Sequence, residues 1–437
     1  MGPRQKAAFV LVSLWAGQAV AAEVETLQLD LSADMGWSTR DGGSVQQELT
    51  LEPAVEGLLT DNLDFRVSAR VRADARDELE PRRPDLRTYS SFSRPATLGT
   101  VGTAELRDAY VDAILGPARM RLGKQQIVWG SLDGFKILDA LNPQSFREFI
   151  LDGFPDSRIG LWAASLEWPM GAALAQVAWA PDPTVHELPR PDAYFAFRAP
   201  RFRFGAPIDS PAPDPAVVNR PDDAWKDGAV GARIRGFTDG WDWSVVALSG
   251  LNPRPYATVE LTGDGPALAH NYRRRELYGF SFARSFGNTA LRGEAAIRPD
   301  LSYNTRTEEG LLGVTRQDNI SAALGTDIDA PGDVFLSTQL FVDHVRDPAP
   351  GLVRPETDWI FTLFARKMFL YQTLRTELKW YASLTDGDGV VRPAISYAVS
   401  DNLSLRLGAD VFYGDGSGIF GQFADQDRVI LGLDMTL

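Results

Sequence analysis

Residues 402–413 read NLSLRLGADVFY and alternate between apolar side chains and polar or small ones. The odd-numbered positions from Leu403 onward are apolar, and the even ones carry Ser, Arg, Gly and Asp up to position 410. Because successive side chains of a β-strand point to opposite faces, the segment predicts a strand with one apolar and one polar face. The same period of two runs through 63–73 and 374–384, and no strong helical period of useful length appears.

Applied along the whole chain, this pattern predicts eighteen strands separated by turn residues. A count of sixteen is the next choice. The predicted ranges are 24–37, 46–56, 63–73, 103–115, 117–128, 158–168, 171–180, 228–238, 241–250, 274–286, 289–298, 317–328, 332–343, 357–367, 371–384, 390–399, 402–413 and 427–437.

The connections between these strands alternate in length. The short ones lie near 58–62, 116, 169–170, 239–240, 287–288, 330–331, 368–370 and 401. The long ones are 74–102, 129–157, 181–227, 251–273, 299–316, 344–356 and 414–426. A soluble β-sandwich would also alternate along its strands, but it has little reason to sort its loops in this way. We therefore expect an all-β protein, a transmembrane antiparallel up-and-down β-barrel of the bacterial outer-membrane type.

The first 22 residues have the organisation of a secretory signal peptide. Arg4 and Lys6 precede an apolar stretch over 7–17, and small residues over 19–22 offer a cleavage site. The apolar stretch is shorter than the roughly 20 residues that a membrane-spanning helix needs. We expect residues 1–22 to be removed and residues 23–437 to form one barrel in the outer membrane of a Gram-negative cell.

The composition excludes several classes of protein. The chain has 58 acidic and 44 basic residues, a net charge of −14 and no cysteine. No basic surplus points to nucleic acid, and without thiols there is neither thiol catalysis nor a thiolate metal site. The sequence contains three His residues and no G-x-S-x-G motif. We therefore predict no enzyme, no metal site and no cofactor.

The link 129–157 is the segment most suited to narrow a pore, because it interleaves apolar residues with acids. Its apolar residues are Phe135, Ile137, Leu138, Phe146, Phe149 and Ile150, and its polar candidates are Asp133, Asp139, Asn142, Glu148 and Asp152. Burial against the barrel wall would stabilise each apolar side chain by roughly 1.5–3 kcal/mol. We predict that the link folds inward as a constriction loop, and a cap packed over the barrel mouth is the alternative.

Arginines recur on the polar parity of the predicted strands, which faces the lumen. The candidates for pore lining are Arg66, Arg70, Arg72, Arg233, Arg235, Arg375 and Arg406, and Arg292, Arg298 and Arg392 share their parity. Unpaired arginines on the wall would favour anions. Pairing with wall acids such as Glu294 and Glu377 would instead only satisfy their charge, and the sequence leaves both interpretations open.

The link 181–227 contains ten prolines, which limit its conformations and predict little regular structure. We expect a stiff external cap, and a surface that binds a partner is the alternative.

The residues 122–125 (LGKQ), 129–130 (WG), 133–134 (DG), 138–139 (LD) and 142–143 (NP) form a recognisable block. It resembles a family of uncharacterised Gram-negative porin-like outer-membrane β-barrel proteins. A weaker similarity is to alginate-export-type barrels, which also have eighteen strands. The resemblance implies fold and location but no agreed substrate. The last predicted strand resembles the signal read by the barrel assembly machinery, although it ends in Leu437 instead of Phe or Trp.

Together these features predict a porin-like channel for passive or substrate-selective passage of small compounds, with anionic or hydrophobic compounds as candidates. The expected partners are outer-membrane lipid and lipopolysaccharide, the barrel assembly machinery and a small-molecule solute, and not nucleic acid. The oligomeric state stays open. The alternatives are a non-conducting barrel that acts as a structural or loop-presenting binding protein, and the outer-membrane part of an export system.

Overall fold

The computed structural model describes residues 8–9, 22–82, 84–210 and 215–437. Eighteen long strands of this described part, numbered β1 to β18 in chain order, form the wall of one antiparallel barrel. They are Ala22–Ser38, Ser44–Thr60, Leu63–Asp74, Gly102–Leu115, Ala118–Gln125, Leu161–Met170, Ala173–Ala180, Ala229–Thr238, Trp241–Leu251, Arg274–Phe286, Thr289–Arg306, Leu312–Ala330, Val334–Val345, Thr357–Phe369, Leu374–Ser383, Asp388–Ser400, Leu403–Tyr413 and Arg428–Thr436.

The wall closes because its last strand pairs with its first. In the ladder between β18 and β1, Leu433 lies opposite Ala33. Closure leaves no free strand edge, which is the condition for a sheet to cross a bilayer, since lipid cannot satisfy exposed backbone groups. The predicted all-β antiparallel barrel of eighteen strands is confirmed, and the second choice of sixteen strands is wrong.

Strand β17 shows how the two faces of the wall differ. Leu405 and Leu407 point outward and are 43% and 51% exposed, whereas Asp410 points into the barrel and is 1% exposed. This distribution is the reverse of a soluble protein and matches a barrel whose apolar face contacts lipid. None of the helices in the described ranges is long and apolar enough to cross a membrane.

Short turns join the strands at the end of the barrel where β1 begins and β18 ends. Gly116, Gly171, Gly240 and Gly287 have positive φ angles in four of these turns, a conformation that suits tight hairpins. The prediction of a turn at 169–170 is wrong by two residues. Both residues extend β6, and the turn falls at 171–172, because glycine reaches the left-handed conformation that proline cannot adopt.

The longer connections lie at the opposite end, at 39–43, 75–101, 126–160, 181–228, 252–273, 307–311, 346–356, 384–387 and 414–427. The predicted long loop at 299–316 is wrong, because β11 and β12 continue to pair up to Arg306 and Leu312. The ladder shifts register between Arg298 and Leu301. A bulge there accommodates Pro299, which has no N–H to donate.

The loops carry only short elements within the described ranges. These are the α-helix α1 (Phe154–Ser157), three 3₁₀ turns (Leu86–Thr88, Pro200–Phe202 and Gly421–Phe423) and the strands Ala96–Leu98, Val217–Asn219, Tyr256–Thr262 and Gly265–Asn271. The pair Ala8–Phe9 bonds to the start of β1. Apart from that pair and residue 22, the predicted signal peptide lies outside the described residues.

Candidate pore and constriction loop

Loop 126–160 leaves the wall after β5 and returns to it at β6, and Asn142 joins its two ends to its middle. The Asn142 Oδ1 accepts a hydrogen bond from the Ile127 N–H at 2.8 Å. Its Nδ2 donates to the carbonyls of Ile159 at 2.9 Å and Gln125 at 3.3 Å. Asn142 is buried, so these bonds are shielded from water and fix where the loop enters and leaves the lumen.

The first half of the loop is bonded to the inner face of β11 and β13. The Glu294 carboxylate, on β11, accepts hydrogen bonds from the backbone N–H groups of Ser131 and Leu138, the latter at 3.1 Å. Gln339, on β13, accepts one from the Gly134 N–H at 3.3 Å. Backbone groups in the middle of the loop therefore reach a wall distant in sequence.

The second half of the loop is bonded to β18 and β2. Glu148 lies between Arg428 at 2.6 Å and Arg147 at 2.9 Å, and Arg147 also pairs with Glu48 on β2. Burial by itself would raise the pKa of Glu148, but Arg428 and Arg147 outweigh it and hold the pKa below its ordinary value. A charged Glu148 thus fastens the loop to a second part of the wall.

Apolar packing supplements these polar attachments. Leu138, Ile137 and Phe149 are between 0% and 4% exposed and belong to one apolar cluster with residues of the inner wall. Phe135 packs edge-on against Phe341, with the ring centroids 5.6 Å apart. Full burial contributes roughly 1.5–3 kcal/mol for each such side chain, so the apolar residues hold the loop inside the barrel.

The predicted loop acids lie in ion pairs or in a charged cluster. Asp133 has an exposed side chain and pairs with Arg292 of β11. Asp139 is buried against Arg158 at 2.7 Å. Burial, followed by the charge of Glu148, raises the pKa of Asp152 to about 6. Asp133 therefore attaches the loop to the wall, whereas Asp139 joins two parts of the loop itself.

Five of the seven predicted pore-lining arginines lie close to carboxylates. The pairs are Arg66 with Asp108 at 3.5 Å, Arg70 with Asp156 at 2.7 Å, Arg72 with Glu48 at 3.6 Å, Arg375 with Glu377 at 3.7 Å and Arg406 with Asp34 at 2.8 Å. Arg233 donates to the Val128 carbonyl at 3.2 Å, and Arg235 is exposed on the same strand. Neither has an ion pair within the described part of the chain. The arginines do not form one uncompensated ladder.

Aromatic residues of the mouth loops pack on the outer side of loop 126–160. The Phe149 ring lies 4.9 Å from Phe423 and 6.2 Å from Phe197, between centroids. Phe195 of the Pro-rich loop is 0% exposed and also contacts Phe423. The sequence interpretation missed this cluster. The number of Phe residues in the Pro-rich loop, which was predicted to be an external cap, was a signal of burial.

The sequence interpretation also missed two charged residues that hold the loop, Arg428 and Arg147. Arg428 shares its parity in the last strand with Asp434, so the period of two could have identified it. Arg147 lies in the loop, and no local pattern shows that Glu48, 99 residues away, would meet it.

A family model matches residues 25–436, nearly the whole chain. The chain belongs to the family DUF1302, described as a protein of unknown function. The predicted resemblance to an uncharacterised porin-like barrel family is confirmed. No curated protein sequence matches this DUF1302 protein.

Several solved outer-membrane proteins are similar in structure to the DUF1302 protein. OccAB1 of Acinetobacter baumannii has a TM-score of 0.51 at 10% identity, covering 94% of this chain and 95% of its own. Salmonella typhi OmpF in complex with daunomycin gives 0.43 at 10% identity, with 95% and 98% covered. OmpT of Vibrio cholerae gives 0.43 at 6% identity, with 95% and 98% covered. At this identity the similarity to OccAB1 supports a shared fold alone.

Proposed function

We propose that this DUF1302 protein is an outer-membrane channel for small solutes in which loop 126–160 sets the width of the path. The observation that carries the proposal is the attachment of one loop to two walls, by Glu294 on β11 and by Arg428 on β18. These strands are seven positions apart in a ring of eighteen, so they face one another. A segment held at both walls occupies part of the cross-section, and solutes pass beside it.

The proposal includes the route by which the protein reaches the membrane. Residues 1–22 direct export and are cleaved, and the barrel assembly machinery inserts the barrel, whose outer face then contacts lipid and lipopolysaccharide. Catalysis plays no part in it: the buried acids and bases of the loop described above are engaged with one another, which suits anchoring better than proton transfer.

The second candidate function is a non-conducting barrel that presents its loops to a partner. The aromatic cluster of Phe149, Phe195, Phe197 and Phe423 favours it, because these rings pack across the mouth and would oppose free passage. In the channel proposal, solutes enter the mouth to one side of this aromatic cluster.

Single-channel conductance in planar bilayers distinguishes the two. We expect the purified protein to conduct, and deletion of residues 131–149 to raise its conductance, because the deletion removes the attached segment and leaves the strand ladders intact. Deletion of residues 307–310, which are exposed, is the control and should leave conductance unchanged.

Heat-modifiable migration on gels identifies properly folded barrels in each preparation. A folded wild-type barrel without conductance would refute the channel and leave the loop-presenting barrel. Equal conductance of the wild type and the 131–149 deletion would refute the constriction.

A further inference from the structure

A cluster of cationic and donor groups lies inside the mouth, where loop 126–160 faces β10. Arg275 projects from the inner face of β10 and donates to the Ala140 carbonyl of the loop at 2.7 Å. Its Nε finds no partner in the described structure. The charge of Arg298, which is another cation, also acts on it. Arg275 is therefore a half-buried charge without an ion pair to a carboxylate in the described part of the chain.

His186 belongs to the cluster and is held as a neutral donor. Its Nδ1 accepts the Gln144 N–H at 2.9 Å, so its proton must reside on Nε2. Burial lowers the pKa of His186 well below its ordinary value, and the charges of Arg275, Arg254 and Lys136 lower it further. The ring thus adds a donor and no negative charge.

Arg254 completes the cluster from the loop between β9 and β10. It follows Pro253, whose carbonyl accepts the His186 N–H at 3.1 Å. Its guanidinium lies 5.6 Å from the Phe202 ring centroid. The side chain is solvent-exposed and makes no hydrogen bond or ion pair within the ranges that the structure describes. Phe202 also contacts Phe149 of the constriction loop, so this exposed charge lies near that loop.

Lys136 approaches from the loop itself and lies 3.5 Å from Asp139. Asp139 is shared with Arg158 at 2.7 Å, so it offsets only part of the charge of Lys136. Burial lowers the pKa of Lys136 to about 8, and the charge of Arg158 contributes.

Two stacked aromatic rings contact both this cluster and an external recess. The rings of Phe197 and Phe202 stack with centroids 4.8 Å apart. Phe197 approaches His186 through Phe146, and Phe202 lies beside Arg254. They also line a solvent-open recess, together with Phe204. A solute that contacts these rings would therefore meet an apolar surface next to the cations.

We propose that Arg254, Arg275 and His186 form a binding subsite for small organic anions that carry an apolar body. This inference rests on the proposed channel function and names the class of solute. Neighbouring cations repel one another, and a bound carboxylate would relieve that repulsion by accepting charge-assisted hydrogen bonds. The stacked rings would bury the apolar body.

Equilibrium binding of benzoate to the detergent-purified full-length protein tests the subsite, with benzyl alcohol as the uncharged counterpart. We expect benzoate to bind and benzyl alcohol to bind much more weakly. Arg254→Gln should weaken benzoate binding by about ten-fold or more, as expected for loss of a hydrogen bond to a charged group. Arg346→Gln removes the same charge from an exposed loop position and should have no effect.

Arg275→Gln should act in the same direction, and Arg275→Lys, which keeps the charge, should recover part of the affinity. Equal binding of benzoate and benzyl alcohol, or equal benzoate affinity in Arg254→Gln and wild type, would overturn the subsite. Conductance reports separately on the channel. A folded protein that binds benzoate through Arg254 without conducting would refute the channel alone, and one that conducts without binding benzoate would refute the subsite alone.

Discussion

Replacement of Glu294 by Ala should release the first half of loop 126–160 from the wall. The wild-type carboxylate accepts three hydrogen bonds, from the Ser131 N–H, the Ser131 hydroxyl at 3.2 Å and the Leu138 N–H at 3.1 Å. The substitution deprives two backbone N–H groups of their acceptor, at a cost of about 1–3 kcal/mol each. The docked position should therefore lose roughly 2–6 kcal/mol, at least about 30-fold in its equilibrium constant.

Thiol labelling can measure this release, because the chain contains no cysteine. A Leu132→Cys probe lies at a position that is 6% exposed and should react slowly with a maleimide in the folded barrel. If labelling requires local opening, adding Glu294→Ala should accelerate it by about the 30-fold or more derived above. Glu308→Ala, which removes an exposed acid from another loop, is the matched control.

Conductance of the same proteins is an independent measurement of loop release. The Glu294→Ala barrel should show a larger or noisier current than the wild type. Equal labelling rates in two barrels with heat-modifiable migration would refute the reasoning. That result would mean that the remaining contacts, such as the Ile137 carbonyl with Arg298 at 2.8 Å, hold the loop without Glu294.

Two further substitutions test the loop from its other half. The pKa of Asp152 is raised from 3.8 to about 6, so the folded state keeps the proton longer than the unfolded state, and stability falls as pH rises through that window. Asp152→Asn should remove this loss of stability, which is at most about 3 kcal/mol before solvent screening. Thermal melts from pH 4 to pH 7 measure the effect. Identical pH dependence of the melting temperature in both proteins would contradict the prediction. Phe149→Ala should cost about 3–5 kcal/mol of packing and speed proteolysis within 181–227, relative to Phe92→Ala at a 60% exposed ring. Unchanged cleavage would show that Phe149 does not hold the mouth loop.

The wall of the barrel was predictable because alternation is a local property. In β17, the sequence period already assigned Leu405 to lipid and Asp410 to the lumen. The predicted strand bounds were wrong where the end of a strand depends on pairing with the adjacent strand. Residues 299–316 look like a polar loop, yet β11 and β12 support each other beyond a bulge, and only the pairing partner makes that extension stable.

The composition of the loop indicated that it enters the lumen, but not what holds it there. The sequence alone identifies Phe135 and Leu138 as apolar residues that need burial. Their contacts with Phe341 and with the inner wall depend on the closure of eighteen strands into a ring. The same holds for Glu148, whose partner Arg428 is 280 residues away and comes close only when β18 pairs with β1.

The sequence by itself determined which side chains face the lumen wherever a strand runs without a bulge, since a period of two fixes the parity along such a segment. Only the tertiary structure decided which lumen charges are compensated. Arg70 and Arg275 both stand on an inward parity, yet Arg70 meets Asp156 of the loop and Arg275 meets a backbone carbonyl and a second cation. Charge pairing depends on distances between distant segments, and those distances are set by how the ring closes and where the loop lies within it.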